Sequence, residues 1–147
     1  MDGMRFEGVT LLTDDVAGMA RFYENVLGFE VTERTDDYVA LDGGDKRLAI
    51  FQRSGRSDVT HDHAAYRGSR GAPTVELNFI CANPAAVHAK YAELVANGAI
   101  GIAEPVEQQW GHVAGFFADP DGNIHSLFAV MPEPRGGSTG LPSLWLP

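Results

Sequence analysis

The chain repeats itself. A shift of 68 positions lays Gly8 on Glu76, Val9 on Leu77, Leu11 on Phe79, Asp15 on Asn83 and Tyr23 on Tyr91, and two more residues bring Gly28 onto Gly98. Identity is low, but the order of strand, helix cap, helix and terminating glycine is the same in both copies. A unit of this size cannot bury the face of its own sheet, so two copies are expected to pack into one domain. A length of 147 residues with 44% hydrophobic content suits that arrangement.

Within the first copy, FEGVTLL at residues 6–12 reads as a strand with Gly8, Thr10 and Leu12 on one face. Asp14 and Asp15 follow as helix caps. Val16, Met19, Ala20, Tyr23, Val26 and Leu27 then form one apolar helix face, and Gly28 ends the helix. Three short strands come next, at residues 29–34, 38–41 and 46–52, with Asp- and Gly-rich turns between them. The first module, residues 1–53, is thus β-α-β-β-β. Residues 54–73 are polar, glycine-rich and aperiodic, and are read as a linker.

The second module, residues 74–131, has the same order. A strand at 74–81 precedes Asn83, a helix cap with Pro84 at the first helical position. Val87, Tyr91, Leu94 and Val95 give the apolar face, and Gly98 closes it. A strand at 100–106 leads to a hairpin with strands at 113–117 and 124–129. Its turn is Asp119-Pro120-Asp121-Gly122-Asn123, where Pro fixes φ and Gly supplies positive φ. The tail, residues 132–147, changes character at Pro132; its Leu144, Trp145 and Leu146 are expected to dock on this domain or a partner, the alternative being a disordered tail.

Composition excludes several functions. A net charge of −9, with no basic patch interleaved with aromatics, argues against nucleic acid. No segment approaches the length of a membrane span, and the N-terminus lacks the pattern of a signal peptide, so no membrane partner is expected. The single cysteine, Cys81, permits no internal disulfide and fits a reducing, cytoplasmic setting. There is no nucleophile triad, phosphate-binding glycine loop or dinucleotide fingerprint.

The paired modules, the segment RFYENVLGFEV at residues 21–31 and the Trp110-Gly111…DPDGN ending together resemble the vicinal oxygen chelate superfamily over residues 5–130. That superfamily holds glyoxalase I, extradiol dioxygenases and bleomycin-resistance proteins. The resemblance implies an α+β fold in which two βαβββ modules form a cup-shaped, curved mixed sheet around a small ligand. Homodimers and a divalent metal held by His, Gln or Glu on the first and last strands of each module also belong to that pattern.

Carried over residue by residue, the metal positions are mostly altered. The first-strand ligand position is Gly8 and its counterpart is Glu76; the last-strand position of the second module is Ser126, and that of the first is Phe51 or Gln52. At most Glu76 and Gln52 remain as conventional ligands, with His112 as a substitute, so a bound metal cofactor is disfavoured. His61 and His63 form a His-x-His pair in the linker that would need further ligands. His88 is expected in solvent, and alternation sends His125 to the face opposite Ser126.

The remaining lining would comprise Thr10, Gln52, Asn78, Trp110, His112, Ser126 and Phe128, an apolar and aromatic site with a few neutral polar groups. Trp110 is expected either to stack on a planar ligand or to pack as an ordinary core residue. Glu76 would be a base if desolvated, and otherwise an ion-pair partner of an arginine. The leading expectation is a metal-free, homodimeric small-molecule-binding protein of the bleomycin-resistance type. The alternatives are a glyoxalase-like lyase, isomerase or dioxygenase with a shifted metal site of Glu76, Gln52 and His112, a metal-free enzyme using Glu76, and an interaction domain.

Overall fold

A computed structural model describes residues 2–67 and 71–132. The tail with Trp145 lies outside the described residues. The chain divides into two compact units, Met1–Ala72 and Pro73–Pro147.

In the first unit, β1 (Gly8–Thr13) leads to α1 (Val16–Arg21), which runs on as one π-helical turn at Phe22–Val26. Three strands follow, β2 (Val31–Arg34), β3 (Tyr38–Asp42) and β4 (Arg47–Gln52). The sheet order is β1-β4-β3-β2, with β1 parallel to β4 and the other pairs antiparallel. Asp15 caps α1 by accepting from the Gly18 N–H at 3.0 Å. A side chain at Gly18 would meet the Asp15 carboxylate, so the glycine leaves the cap its place. Met19, Ala20 and Tyr23 are buried with Leu11, Val39, Leu41, Leu48 and Ile50, from the sheet face that alternation assigns to the helix side. Burying each of the larger side chains contributes about 1.5–3 kcal/mol.

The stretch read as a linker contains structure of its own. A short helix, α2 (Ser54–Val59), follows β4 directly, and a single 3₁₀ turn spans Ala64–Tyr66. No side chain caps α2 and none of its residues is buried, which is why no amphipathic period marks it. It is held instead by Gly55, where a Cβ would lie 2.5 Å from the Phe51 ring, and by Arg56, whose guanidinium stands 4.6 Å from that ring's centroid.

The second unit contains β5 (Asn78–Ile80), α3 (Pro84–Ala96), β6 (Ile100–Glu107), β7 (His112–Ala118) and β8 (Ile124–Val130), in the sheet order β5-β8-β7-β6. The expected strand at 74–81 is only three residues long; residues 73–76 approach the sheet without joining its ladder, and Leu77 joins it through its carbonyl, which accepts from the Ser126 N–H. Asn83 caps α3 on the Ala86 N–H at 2.9 Å, and Val87, Tyr91 and Leu94 are buried, whereas Val95 is exposed. The helix packs on β6, β7 and β8. Each unit is therefore a four-stranded mixed sheet with a helix on one face. Among the described residues no helix is long and apolar enough to cross a membrane.

Candidate functional site

In the second unit the hairpin turn fixes which side chains share a face. Asp119 is fully buried, and its carboxylate accepts from the Asp121 and Asn123 N–H groups at 3.0 and 2.9 Å and from Asn123 Nδ2 at 2.7 Å. Gly122 sits at φ +83°, as the turn requires. This closure pairs Ala118 with Ile124, and counting outward pairs Phe116 with Ser126, Ala114 with Phe128 and His112 with Val130. β5 lies parallel to β8, with Asn78 beside Ser126 and Ile80 beside Phe128. Directly paired residues project to the same side. The face away from α3 thus carries His112, Phe116, Ser126, Phe128, Asn78 and Ile80.

These side chains form an aromatic row with a polar end. His112 is buried and stacks on Phe128, with ring centroids 4.7 Å apart and planes at 20°. Trp110, in the turn before β7, meets His112 edge-on at 6.4 Å and remains 39% exposed. Ser126 Oγ donates to Asn78 Oδ1 at 2.5 Å. Ser126 is buried, Asn78 is exposed, and Phe116 and Phe128 are half-buried. Aromatic faces at these separations attract further flat rings, and the amide and hydroxyl offer donors and acceptors beside them.

The structure places the other expected residues differently. Glu76 is exposed, outside any strand, lining a surface cleft of about 450 Å³ with Pro73, Thr74, Val75 and Ile124. The desolvation invoked to make it a base is not present. In the first unit Thr10 pairs with Ala49 and Leu12 with Phe51, which puts Phe51 on the Thr10 face; Gln52 pairs with Thr13 and falls, by alternation, on the helix side. Of the two candidates, it is thus Phe51 and not Gln52 that shares the Thr10 face. Beside Phe51 on that face, Tyr38 meets it edge-on at 6.1 Å. Arg47 donates to the Tyr38 hydroxyl at 2.7 Å and bidentately to Glu7 at 2.8 and 3.0 Å. That hydrogen bond holds the Glu7 carboxyl below its usual range. Nothing in the residue types marked this trio, because Glu7 and Arg47 are forty positions apart; only the β1/β4 register joins them.

The residues present do not fit the metal of the resembled enzymes. A Cβ at Gly8 would stand 2.2 Å from the Arg47 carbonyl oxygen, so this strand position has no room for a ligand side chain. The Ser126 hydroxyl is neutral and committed to Asn78. His63 accepts from the Ala65 N–H at 3.1 Å as the cap of an exposed turn, and His61 is exposed beside it. Among the described residues no three His, Cys, Asp or Glu side chains converge as a metal group. His88 is exposed, as expected, in a groove with Tyr91 and Glu104. His125 is buried on the helix side, against Phe79 and Phe117.

Residues 5–126 match the family model of the glyoxalase/bleomycin resistance protein/dioxygenase superfamily. The chain belongs to this superfamily. A virulence protein of Salmonella typhimurium, STM3117, is 27% identical over 123 residues, which cover 82% of this chain and 80% of the relative. Among solved structures, a glyoxalase/bleomycin resistance protein/dioxygenase from Nocardioides superposes with a TM-score of 0.80 at 20% identity, covering 94% of this chain and 91% of the other. A lactoylglutathione lyase from Agrobacterium tumefaciens gives 0.66 at 19% identity, with 85% and 92% covered. At these identities the solved structures show the superfamily fold and leave the chemistry to the site.

Proposed function

We propose that this superfamily member is a metal-independent binder of a small, flat organic molecule, held on the face of its second sheet away from α3. The observation that carries this reading is the row Trp110–His112–Phe128, with the Ser126–Asn78 pair at its side. A flat ring laid against Trp110 would extend the row, while the amide and hydroxyl select polar substituents on its rim. The crowded backbone at Gly8 supports the absence of the usual metal. The acidic chain favours a cationic ligand. A cytoplasmic homodimer completes the proposal; light scattering on a sizing column tests the assembly.

The test has two parts. Elemental analysis of protein purified without chelator, and calorimetric titration with Zn, Mn, Ni and Fe(II), should find neither stoichiometric metal nor heat of binding. Proflavine, a flat cationic dye, should bind the chelator-treated protein, and Trp110→Ala and Ser126→Ala should each weaken it at least tenfold. Stoichiometric metal with turnover of a glyoxalase or dioxygenase substrate would replace this reading with the lyase or dioxygenase one. Proflavine binding indifferent to both substitutions would remove the site.

A further inference from the structure

The polar end of the face away from α3 depends on Leu77, the residue just before β5. The Leu77 carbonyl accepts from the Ser126 N–H at 3.0 Å, and the Leu77 N–H donates to Nδ1 of His125 at 3.1 Å. The other ring nitrogen, Nε2, faces Asp119 Oδ2 at 3.6 Å. His125 is 1% exposed and Asp119 is fully buried. The edges and faces of Phe79 and Phe117 fix the plane of the ring, at 6.2 and 5.8 Å with interplanar angles of 74° and 69°.

This geometry determines the protonation state. A nitrogen that accepts from an N–H carries no proton, so the imidazole is neutral and its proton sits on Nε2, toward the Asp119 carboxylate. Asp119 is itself held by three hydrogen bonds within the hairpin turn. β5 is only three residues long, residues 73–76 make no ladder pairing, and Leu77 meets β8 through its carbonyl alone, so the Leu77 N–H has His125 as its anchor. We infer that His125 is a positioning residue for the ligand face: the fixed end of the hairpin sets its tautomer, and the tautomer holds Leu77 so that Asn78 stays in register with Ser126. Its role in ligand binding rests on the function proposed above, but the clamp itself can be read without any ligand.

The experiment uses the full chain labelled with ¹⁵N. In the wild type the His125 nitrogens should show the Nε2–H tautomer, and the Leu77 and Asn78 amides should be protected from exchange. His125→Leu, which has no acceptor, should speed exchange at both amides at least tenfold while β6 and β7 stay protected. In His125→Asn the amide oxygen stands near the place of Nδ1, and protection should stay within about threefold of wild type. Proflavine affinity should follow the same order, lost in the leucine variant and kept in the asparagine one. An Nδ1–H tautomer in the wild type, or unchanged Leu77 exchange in His125→Leu, would overturn the clamp. Should the leucine variant not fold, the wild-type tautomer and the asparagine variant still decide it. If wild-type protein fails to bind proflavine, the ligand reading falls and the exchange data alone judge the clamp.

Discussion

Gly8 is the position to which the resemblance assigns a first-strand metal ligand, and its neighbourhood separates two explanations for the missing side chain. Were the site merely vacant, Gly8→His would restore a donor at little cost. The Arg47 carbonyl oxygen, 2.2 Å from where a Cβ would be, argues otherwise. Gly8→His should lower stability by about 1–3 kcal/mol in urea denaturation, the usual cost of forcing atoms into a packed strand, and should show no zinc heat in calorimetry. Unchanged stability with stoichiometric zinc would show that β1 can move aside. The next residue back has a different dependence. Glu7 is exposed and its carboxyl is held low chiefly by the Arg47 hydrogen bond, with the Arg47 and Arg5 charges adding to it. A depressed folded value means that this pair's contribution is present at neutral pH and is lost as pH falls below the ordinary 4.5. Stability curves of wild type and Glu7→Gln should therefore converge on acidification below that point, and a constant gap down to pH 3 would exclude the linkage.

At the level of elements, the structure distinguishes caps on the surface from caps in the core. Asn83 closes α3 with one exposed hydrogen bond, so Asn83→Ala should cost about 1 kcal/mol. Asp119 is fully buried and serves three donors of the hairpin turn as well as facing His125. Asp119→Ala strands these groups at once and should cost about 3 kcal/mol or more. Equal losses for the two variants in chemical denaturation would mean the turn relaxes or hydrates instead. Both features were legible in the sequence, because a cap or a DPDGN turn is a local event whose residues adjoin. α2 was not legible, since it is positioned by Gly55 against Phe51 and by Arg56 over that ring, rather than by a period in its own residues. The same distinction governs the site. Counting from the turn would have found Phe116 opposite Ser126, whereas choosing Phe51 over Gln52 needed the parallel register of β1 on β4, which no short stretch encodes.

For the whole molecule the governing quantity is the charge of −9, which bears on which ligands arrive and how fast rather than on the fold. The face away from α3 contributes little charge of its own: Ser126, Asn78, Phe128 and Trp110 are neutral at any physiological pH. A cationic ligand would therefore be attracted by the field of the chain as a whole, not by a single pairing carboxylate on that face. Such a field acts over a Debye length, about 10 Å at 0.1 M salt and about 3 Å at 1 M. The affinity of proflavine should accordingly fall several-fold between about 0.02 and 0.5 M sodium chloride, with the loss mainly in the association rate. An uncharged flat compound of similar size should bind with almost the same affinity throughout, since stacking on Trp110 is not screened. Stopped-flow fluorescence with both compounds separates the cases. A salt-independent association rate for proflavine, with the whole effect in dissociation, would point to a buried carboxylate touching the cation and move the search for the binding site away from the aromatic row.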